Sequence, residues 1–320
     1  MKIGFIGLGN VGAKLAGSLL RNGHDLTVRD LDRETAQGFL DGGAAWGESP
    51  AQMTADCEVV ITCLPSPAAS AEVVEGADGV LAAIAPGKIW AEMSTTDEAE
   101  VKRLGAQVVA KGGDAVDCPV SGGCHRAATG NIAIFAGCRR DVFERMLPVL
   151  TTMGRRILHT GELGSASVLK VITNYLATAN LITCCEALVT AKAAGMDLTS
   201  TYEAIRISSG NSFVHETESQ VILNGSRDIN FTMDLVEKDI GLFQAIADRA
   251  GVPLEMNPLM IDIFADGRER FGARAFSPDI IRRLEEATGI DVRAPGFPAE
   301  IIDDEPEMPG YEVTPGRGSN

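Results

Sequence analysis

Lys170 and Asn174 stand four residues apart inside SASVLKVITNYLATANLITCCEALVTAKAAG, a run of about thirty residues without proline or internal glycine. On a helix that spacing puts both on one face. A lysine set among apolar residues is costly unless it is paired or used, or it threads its ammonium past its own methylenes to water. If buried, its pKa falls and the neutral amine becomes a base near neutral pH. Asn174, one turn on, would then orient a substrate or hold the lysine. Composition leaves both readings open.

A second constellation opens the chain. KIGFIG reads as a short buried strand, and from Asn10 and Val11 onward Leu15, Leu19 and Leu20 recur at helical spacing. Gly7, Gly9 and Gly12 therefore sit where a strand turns into a helix. Gly7 permits the tight turn, Gly9 lets a pyrophosphate reach the backbone, and Gly12 lets helix and strand pack closely. The helix start offers N–H groups and a positive dipole end to phosphates. A second strand closes on Asp30, where a carboxylate would take the adenine ribose hydroxyls and repel a 2′-phosphate, favouring NAD over NADP. Arg29 and Arg33 flank it and weigh the other way. The alternative, a glycine turn used only for packing, has to account for strand, helix, second strand and acid all in register.

Other candidates are weaker alone. CPVSGG ends a strand in Ser121, Gly122 and Gly123, whose unobstructed N–H groups and hydroxyl could hold a carboxylate; an ordinary Gly-Gly turn reads as well. In MSTT, Thr96 or Asp97 reads as a helix N-cap, and in EKD, Lys238 and Asp239 read as a solvated charge pair. Cys124 beside His125 lacks a third, orienting residue for thiol catalysis. The histidines are scattered and no ligand spacing occurs, so no metal is expected. Seven cysteines without a CxxC pair suggest reduced thiols and the cytoplasm.

The elements that must position these residues alternate. CEVVITCLP, KIWAEMST and GGDAVDCPVSGG read as strands, GNIAIFAG as a returning strand, and AEVVEGADGVLAAI and EAEVKRLGAQVVAKG as helices. This is the pattern of a doubly wound parallel Rossmann sheet, whose ligands lie beyond the strands' carboxyl ends. After Gly164 the chain reads as all-α, opening with the long helix. The expected division is 1–163 for a NAD-binding domain, 164–290 for an all-helical domain beginning with the long helix, and 291–320 for an irregular, proline-rich acidic tail. A formal net charge of −16 argues against nucleic acid or an anionic membrane as partner. No leader segment is visible, and no apolar run reads as long enough to span a membrane.

Taken together these motifs resemble the β-hydroxyacid dehydrogenase family, which includes 3-hydroxyisobutyrate dehydrogenase. GFIGLGNVGAKLAGSLLRNGHDLTV is similar to the family's N-terminal signature, DCPVSGGCHRAATGNIAIFAGC to its substrate motif, GSASVLKVITN to its catalytic motif and LVEKDIGL to its late Lys-Asp motif. The match covers roughly residues 2–290, with the motifs in family order. The resemblance implies a Rossmann domain, a long interdomain helix and a helical domain that forms a homodimer or homotetramer. It implies NAD as cofactor, Lys170 as catalytic acid/base, and Asn174 with Ser121, Gly122 and Gly123 around a small carboxylate-bearing substrate. Leu64, Pro65 and Thr95 would line the cofactor and Lys238 would reach its nicotinamide side. Leu31 stands where NADP-preferring relatives often carry arginine. The expected reaction is hydride transfer between a 3-hydroxyisobutyrate-like acid and NAD. Reduction of a semialdehyde of the tartronate or sulfolactaldehyde type is the alternative, with Arg126 its hint; a non-catalytic NAD-binding sensor is another. Cys124, His125 and Arg126 depart from the small or neutral residues many relatives carry there, and the tail runs past the usual family end.

Overall fold

The apolar stretch after Met1 forms β1 (Lys2–Ile6), and the helical spacing after it forms α1 (Gly12–Arg21). Alternation continues through β2 (Asp25–Arg29), α2 (Gln37–Asp41), β3 (Ala45–Trp46), α3 (Pro50–Asp56), β4 (Val59–Thr62), α4 (Pro67–Glu75), β5 (Ile89–Glu92), α5 (Glu98–Ala110) and β6 (Asp114–Asp117). Then come β7 (Val120–Ser121), α6 (Gly123–Ala128), β8 (Ala133–Gly137), α7 (Arg140–Met153), β9 (Arg156–Gly161) and the long α8 (Ser165–Ala193). This computed structural model describes residues 1–316.

The strands β3-β2-β1-β4-β5-β6 run parallel in that order. All four residues of β4 and of β5 are buried, as a parallel sheet covered by helices on both faces requires. Alternate residues serve opposite faces: Val59 and Ile61 join Ile3, Phe5 and Leu15 in one core cluster, while Val60 joins Trp90 and Leu104 in another. The sheet does not stay parallel throughout. β8 returns antiparallel beside β6, and β9 runs parallel to β8. GGDAVDCPVSGG is two strands rather than one, because Cys118 and Pro119 interrupt it; Pro119 has no N–H to give a ladder. α4 ends at Glu75 rather than running on through GADGVLAAI, since Gly76 and Gly79 break it.

The chain divides into two compact units, Met1–Lys170 together with the segment from Asp303 onward, and Val171–Ile302. The second unit is helical: the rest of α8, α9 (Leu198–Arg206), α10 (Phe213–Asn224), α11 (Met233–Ala250), α12 (Met256–Phe271) and α13 (Arg282–Thr288). Leu181, Leu188, Ile222, Ile240 and Phe264 are in its core. The tail is not irregular throughout. It is shared between the two units, and β10 (Tyr311–Glu312) pairs parallel with β9. Its last four residues lie outside the described residues. A further correction concerns α8, which by length and composition is apolar enough to cross a membrane. Some of its apolar positions are in protein cores, with Val171, Leu181, Cys185 and Leu188 all buried, while Leu169 and Leu176 are exposed.

Candidate active site

The glycine loop has the geometry its sequence demands. Gly7 holds a φ of 101°, and a Cβ there would stand 2.2 Å from the Cys63 carbonyl oxygen. A Cβ at Gly12 would stand 2.1 Å from the Gly7 oxygen, so helix and loop touch backbone to backbone. At Gly9 a Cβ would meet no described atom within 4 Å. Gly9 and Asn10 are exposed, and α1 starts after Val11 with no side-chain cap on its first amides. Uncapped N–H groups beside an open glycine suit a pyrophosphate.

Asp30 follows β2 directly. Its Oδ2 accepts from the Leu8 amide at 2.6 Å and its Oδ1 from the Leu31 amide at 2.7 Å, so the carboxylate is tied to the glycine loop. Oδ1 also takes the Asp32 amide at 3.4 Å, and Oδ2 keeps a lone pair for a ribose hydroxyl. Leu31 projects fully into solvent. Arg29 turns aside: its Nη1 donates to the Gly47 and Glu48 carbonyls at 2.8 and 2.7 Å, and its guanidinium lies 5.6 Å from the Trp46 ring centre. Arg33 lies over the same ring at 5.1 Å.

The loops after β4 and β5 are joined by a residue that the sequence did not single out. Glu92 is wholly buried; its Oε1 accepts from the Ser94 amide at 2.9 Å and from the Ser94 hydroxyl. Ser94 Oγ in turn accepts from the Leu64 amide at 2.7 Å. Burial pushes the Glu92 carboxyl up, against the hydrogen bonds from Ser94. Its Oε2 has no hydrogen-bond partner among the described residues, which suits a protonated acid better than a buried anion. Leu64, half-buried, and Pro65, exposed, are held on one loop and Thr95, half-buried, on the next. Asp97 is the N-cap of α5, accepting from the Ala99 amide at 2.7 Å.

Asp117 ends β6 and was also missed. It is fully buried, accepting from the Gly164 amide at 2.8 Å and the Ser167 amide at 2.7 Å. It therefore caps α8, although burial raises its pKa against those two bonds. Four residues later come Ser121, Gly122 and Gly123, with φ of 130° and 86° at the glycines, a path closed to other residues without strain. The Arg126 stem packs on Gly122, its Cδ 3.3 Å from where a Cβ would sit, and the His125 ring packs on Gly123. Burial, then the neighbouring Arg126 charge, lowers the His125 pKa.

Lys170, in the second turn of α8, is 8% exposed. Asn174 follows one turn later on the same helix. Its Nδ2 donates to Asp239 Oδ2, and Lys238 Nζ lies 2.8 Å from Asp239 Oδ1. Lys238 and Asp239 are thus no solvated surface pair: the Asp239 carboxylate is 2% exposed. The fold brings Asn174, Lys238 and Asp239 together in the second unit, and Lys170 belongs to the first unit with the glycine loop, Asp30 and Ser121–Gly123.

Residues 2–161 match the family described as the NAD binding domain of 6-phosphogluconate dehydrogenase, and residues 164–284 that described as NAD-binding of NADP-dependent 3-hydroxyisobutyrate dehydrogenase. The chain is 33% identical over 293 residues to 2-(hydroxymethyl)glutarate dehydrogenase of Eubacterium barkeri, covering 91% of this chain and 97% of that one. It is 31% identical over 255 residues to the human cytokine-like nuclear factor N-PAC, covering 80% of this chain but 46% of that protein. Among solved structures, Mycobacterium tuberculosis 3-hydroxyisobutyrate dehydrogenase with L-serine superposes with a TM-score of 0.80 at 28% identity, covering 88% of this chain and 98% of that one. With a dinucleotide loop, a nicotinamide cofactor and a helical second unit in this order, the chain belongs to the β-hydroxyacid dehydrogenase family of NAD(P)-dependent oxidoreductases.

Proposed function

We propose that this protein oxidises a small 3-hydroxy acid with NAD, and that Lys170 is the general base. One observation carries the reading: a lysine held 8% exposed on a helix whose first turn is pinned to the strand leading into Ser121–Gly123. An amine kept from water loses part of the solvation that favours its charged form. Neutral Lys170 accepts the hydroxyl proton as the carbon–oxygen double bond forms, and returns it when the carbonyl is reduced. The bound nicotinamide supplies the hydride acceptor. Backbone N–H groups of Ser121–Gly123 and the Ser121 hydroxyl take the substrate carboxylate, and Asn174 orients the hydroxyl end. Leu64, Pro65, Thr95 and Lys238 serve the cofactor. The preference for NAD rests on Asp30, tied to the Leu8 amide, and on Arg29 and Arg33 being engaged at Trp46.

A second anionic group on the substrate is favoured by Arg126, whose stem lies on Gly122. The relative named for 2-(hydroxymethyl)glutarate, a dicarboxylate, agrees with it. A semialdehyde with a second acid group would use the same residues in reverse. A non-catalytic NAD-binding sensor is the competing reading, and one relative carries the name of a nuclear factor rather than of a dehydrogenase. A homodimer or homotetramer is the assembly we propose. The seven free cysteines favour a reducing compartment such as the cytoplasm.

The test is a panel of 3-hydroxy acids and their aldehydes followed at the NADH absorbance, run with NAD and with NADP. The expected result is turnover of at least one member, a higher kcat/KM with NAD, and a loss of kcat in Lys170→Ala of about a hundredfold or more with NADH still bound. Nucleotide binding without turnover across the panel, or near wild-type kcat in Lys170→Ala, would sink the proposal.

A further inference from the structure

The matched family region ends at residue 284, yet the segment from Asp303 returns to the dinucleotide unit and engages the end of α6. Thr129 Oγ1 donates to Asp303 Oδ2, and Asn131 Nδ2 donates to the same oxygen at 2.9 Å and to the Glu305 carbonyl at 2.9 Å. Glu307 takes the next position: Arg21 Nη2 reaches its Oε2 at 3.3 Å while also donating to the Ala128 carbonyl, the last residue of α6, at 3.0 Å. Asn22 Nδ2 donates to Glu307 Oε1 at 3.1 Å. Further on, Arg155 Nη1 donates to the Pro309 carbonyl at 2.7 Å, β10 pairs with β9, and Arg140 forks onto Glu312 at 2.5 and 3.0 Å. The segment is therefore anchored at both ends.

What it holds matters because α6 is one and a half turns long and carries its own function-bearing neighbours. Arg126 packs on Gly122 and His125 on Gly123. Both glycines adopt backbone angles with little intrinsic stiffness. A helix of this length is not stable alone, so the direction of the Ser121–Gly123 loop depends on what fixes the end of α6.

We propose that Asp303 is a positioning residue for substrate binding: through Thr129 and Asn131 it fixes α6 and thereby the Ser121–Gly123 loop and Arg126. This rests on the reading that the loop takes the substrate carboxylate. Burial works against the Asp303 charge, but hydrogen bonds from Thr129 and Asn131, and the Arg126 charge, hold its carboxyl below the ordinary value.

The test compares wild type, Asp303→Ala and Asp303→Asn, using 3-hydroxyisobutyrate or the best acid of the panel. Asp303→Ala is expected to raise KM about tenfold with kcat within about twofold, as loss of a charge-assisted hydrogen bond acting on binding alone would. NADH affinity stays unchanged. Asp303→Asn, which keeps an acceptor oxygen for Thr129 and Asn131, restores KM. Amide hydrogen exchange over residues 120–131 is faster in Asp303→Ala, and this readout needs no turnover. An unchanged exchange rate overturns the proposal even if no hydroxy acid is a substrate. Where turnover exists, a wild-type KM in Asp303→Ala, or KM, kcat and NADH affinity worsening together without rescue by asparagine, overturns it too.

Discussion

Asp117 Oδ2 accepts the Ser167 amide at 2.7 Å, so the strand that leads into Ser121–Gly123 also caps the helix that carries Lys170. The helix start and the Ser121–Gly123 loop are thus referenced to one carboxylate. Asp117→Ala removes the cap and leaves two buried amides unpaired. We expect a loss of about 2–3 kcal/mol in chemical denaturation and a fall in kcat exceeding any change in NADH affinity. Asp117→Asn keeps an acceptor and falls between. A variant with wild-type stability and kcat would show that the cap positions nothing.

Gly9 and Gly12 separate binding from folding. A methyl at Gly9 meets no described atom within 4 Å, so Gly9→Ala is expected to shift Tm by less than about 2 °C while weakening NADH by tenfold or more, because the phosphates need that space. A methyl at Gly12 collides with the Gly7 oxygen, so Gly12→Ala is expected to lose about 2 kcal/mol or more. Thermal shift and NADH fluorescence titration on the two variants check this. Equal effects on both quantities would contradict it.

Glu92 tests the claim that a buried acid, not an anion, ties the loops after β4 and β5. Glu92→Gln preserves the acceptor that Ser94 uses and is expected to stay within about 1 kcal/mol of wild type. Glu92→Ala is expected to cost about 2–4 kcal/mol and to weaken NADH, since Ser94 would no longer be held against the Leu64 amide. If the glutamine variant is as damaged as the alanine variant, Glu92 is needed as a charge.

Glu218, on α10, carries a carboxyl pushed up to about 7 by burial, with the Ser277 hydroxyl pulling the other way. A raised folded pKa means the native state binds the proton more tightly than the unfolded chain. Its contribution is complete below the unfolded value of 4.5 and is lost as pH rises through about 7. We expect stability to fall between pH 5 and pH 8 by on the order of 1–2 kcal/mol from this group. Glu218→Gln should flatten that slope. Urea melts across the interval measure it, and parallel slopes in wild type and variant would rule the group out.

How much of this was legible beforehand follows from how far apart the interacting groups lie in the chain. Gly7, Gly9, Gly12 and Asp30 belong to one strand–helix–strand unit, where local backbone rules decide the outcome, so spacing alone predicted the loop and its acid. Lys170 and Asn174 share a helix face by periodicity, and hydrophobic pattern sufficed for the alternating elements and the helical second half.

Spacing could not reveal pairings across dozens or hundreds of residues. Nothing local marks Asp117 as the cap of a helix that begins at Ser165, or Asp303 as the partner of Thr129 and Asn131. Lys238 and Asp239 looked solvated because adjacent opposite charges on a helix usually are; packing buried Asp239 against Asn174. The sequence by itself therefore determined which backbone has the form of a dinucleotide loop and that Lys170 and Asn174 share one face of a long helix. Only the tertiary structure decided which buried carboxylates hold those parts in place, because burying a charge or a helix end is tolerable only where distant chain supplies its hydrogen bonds.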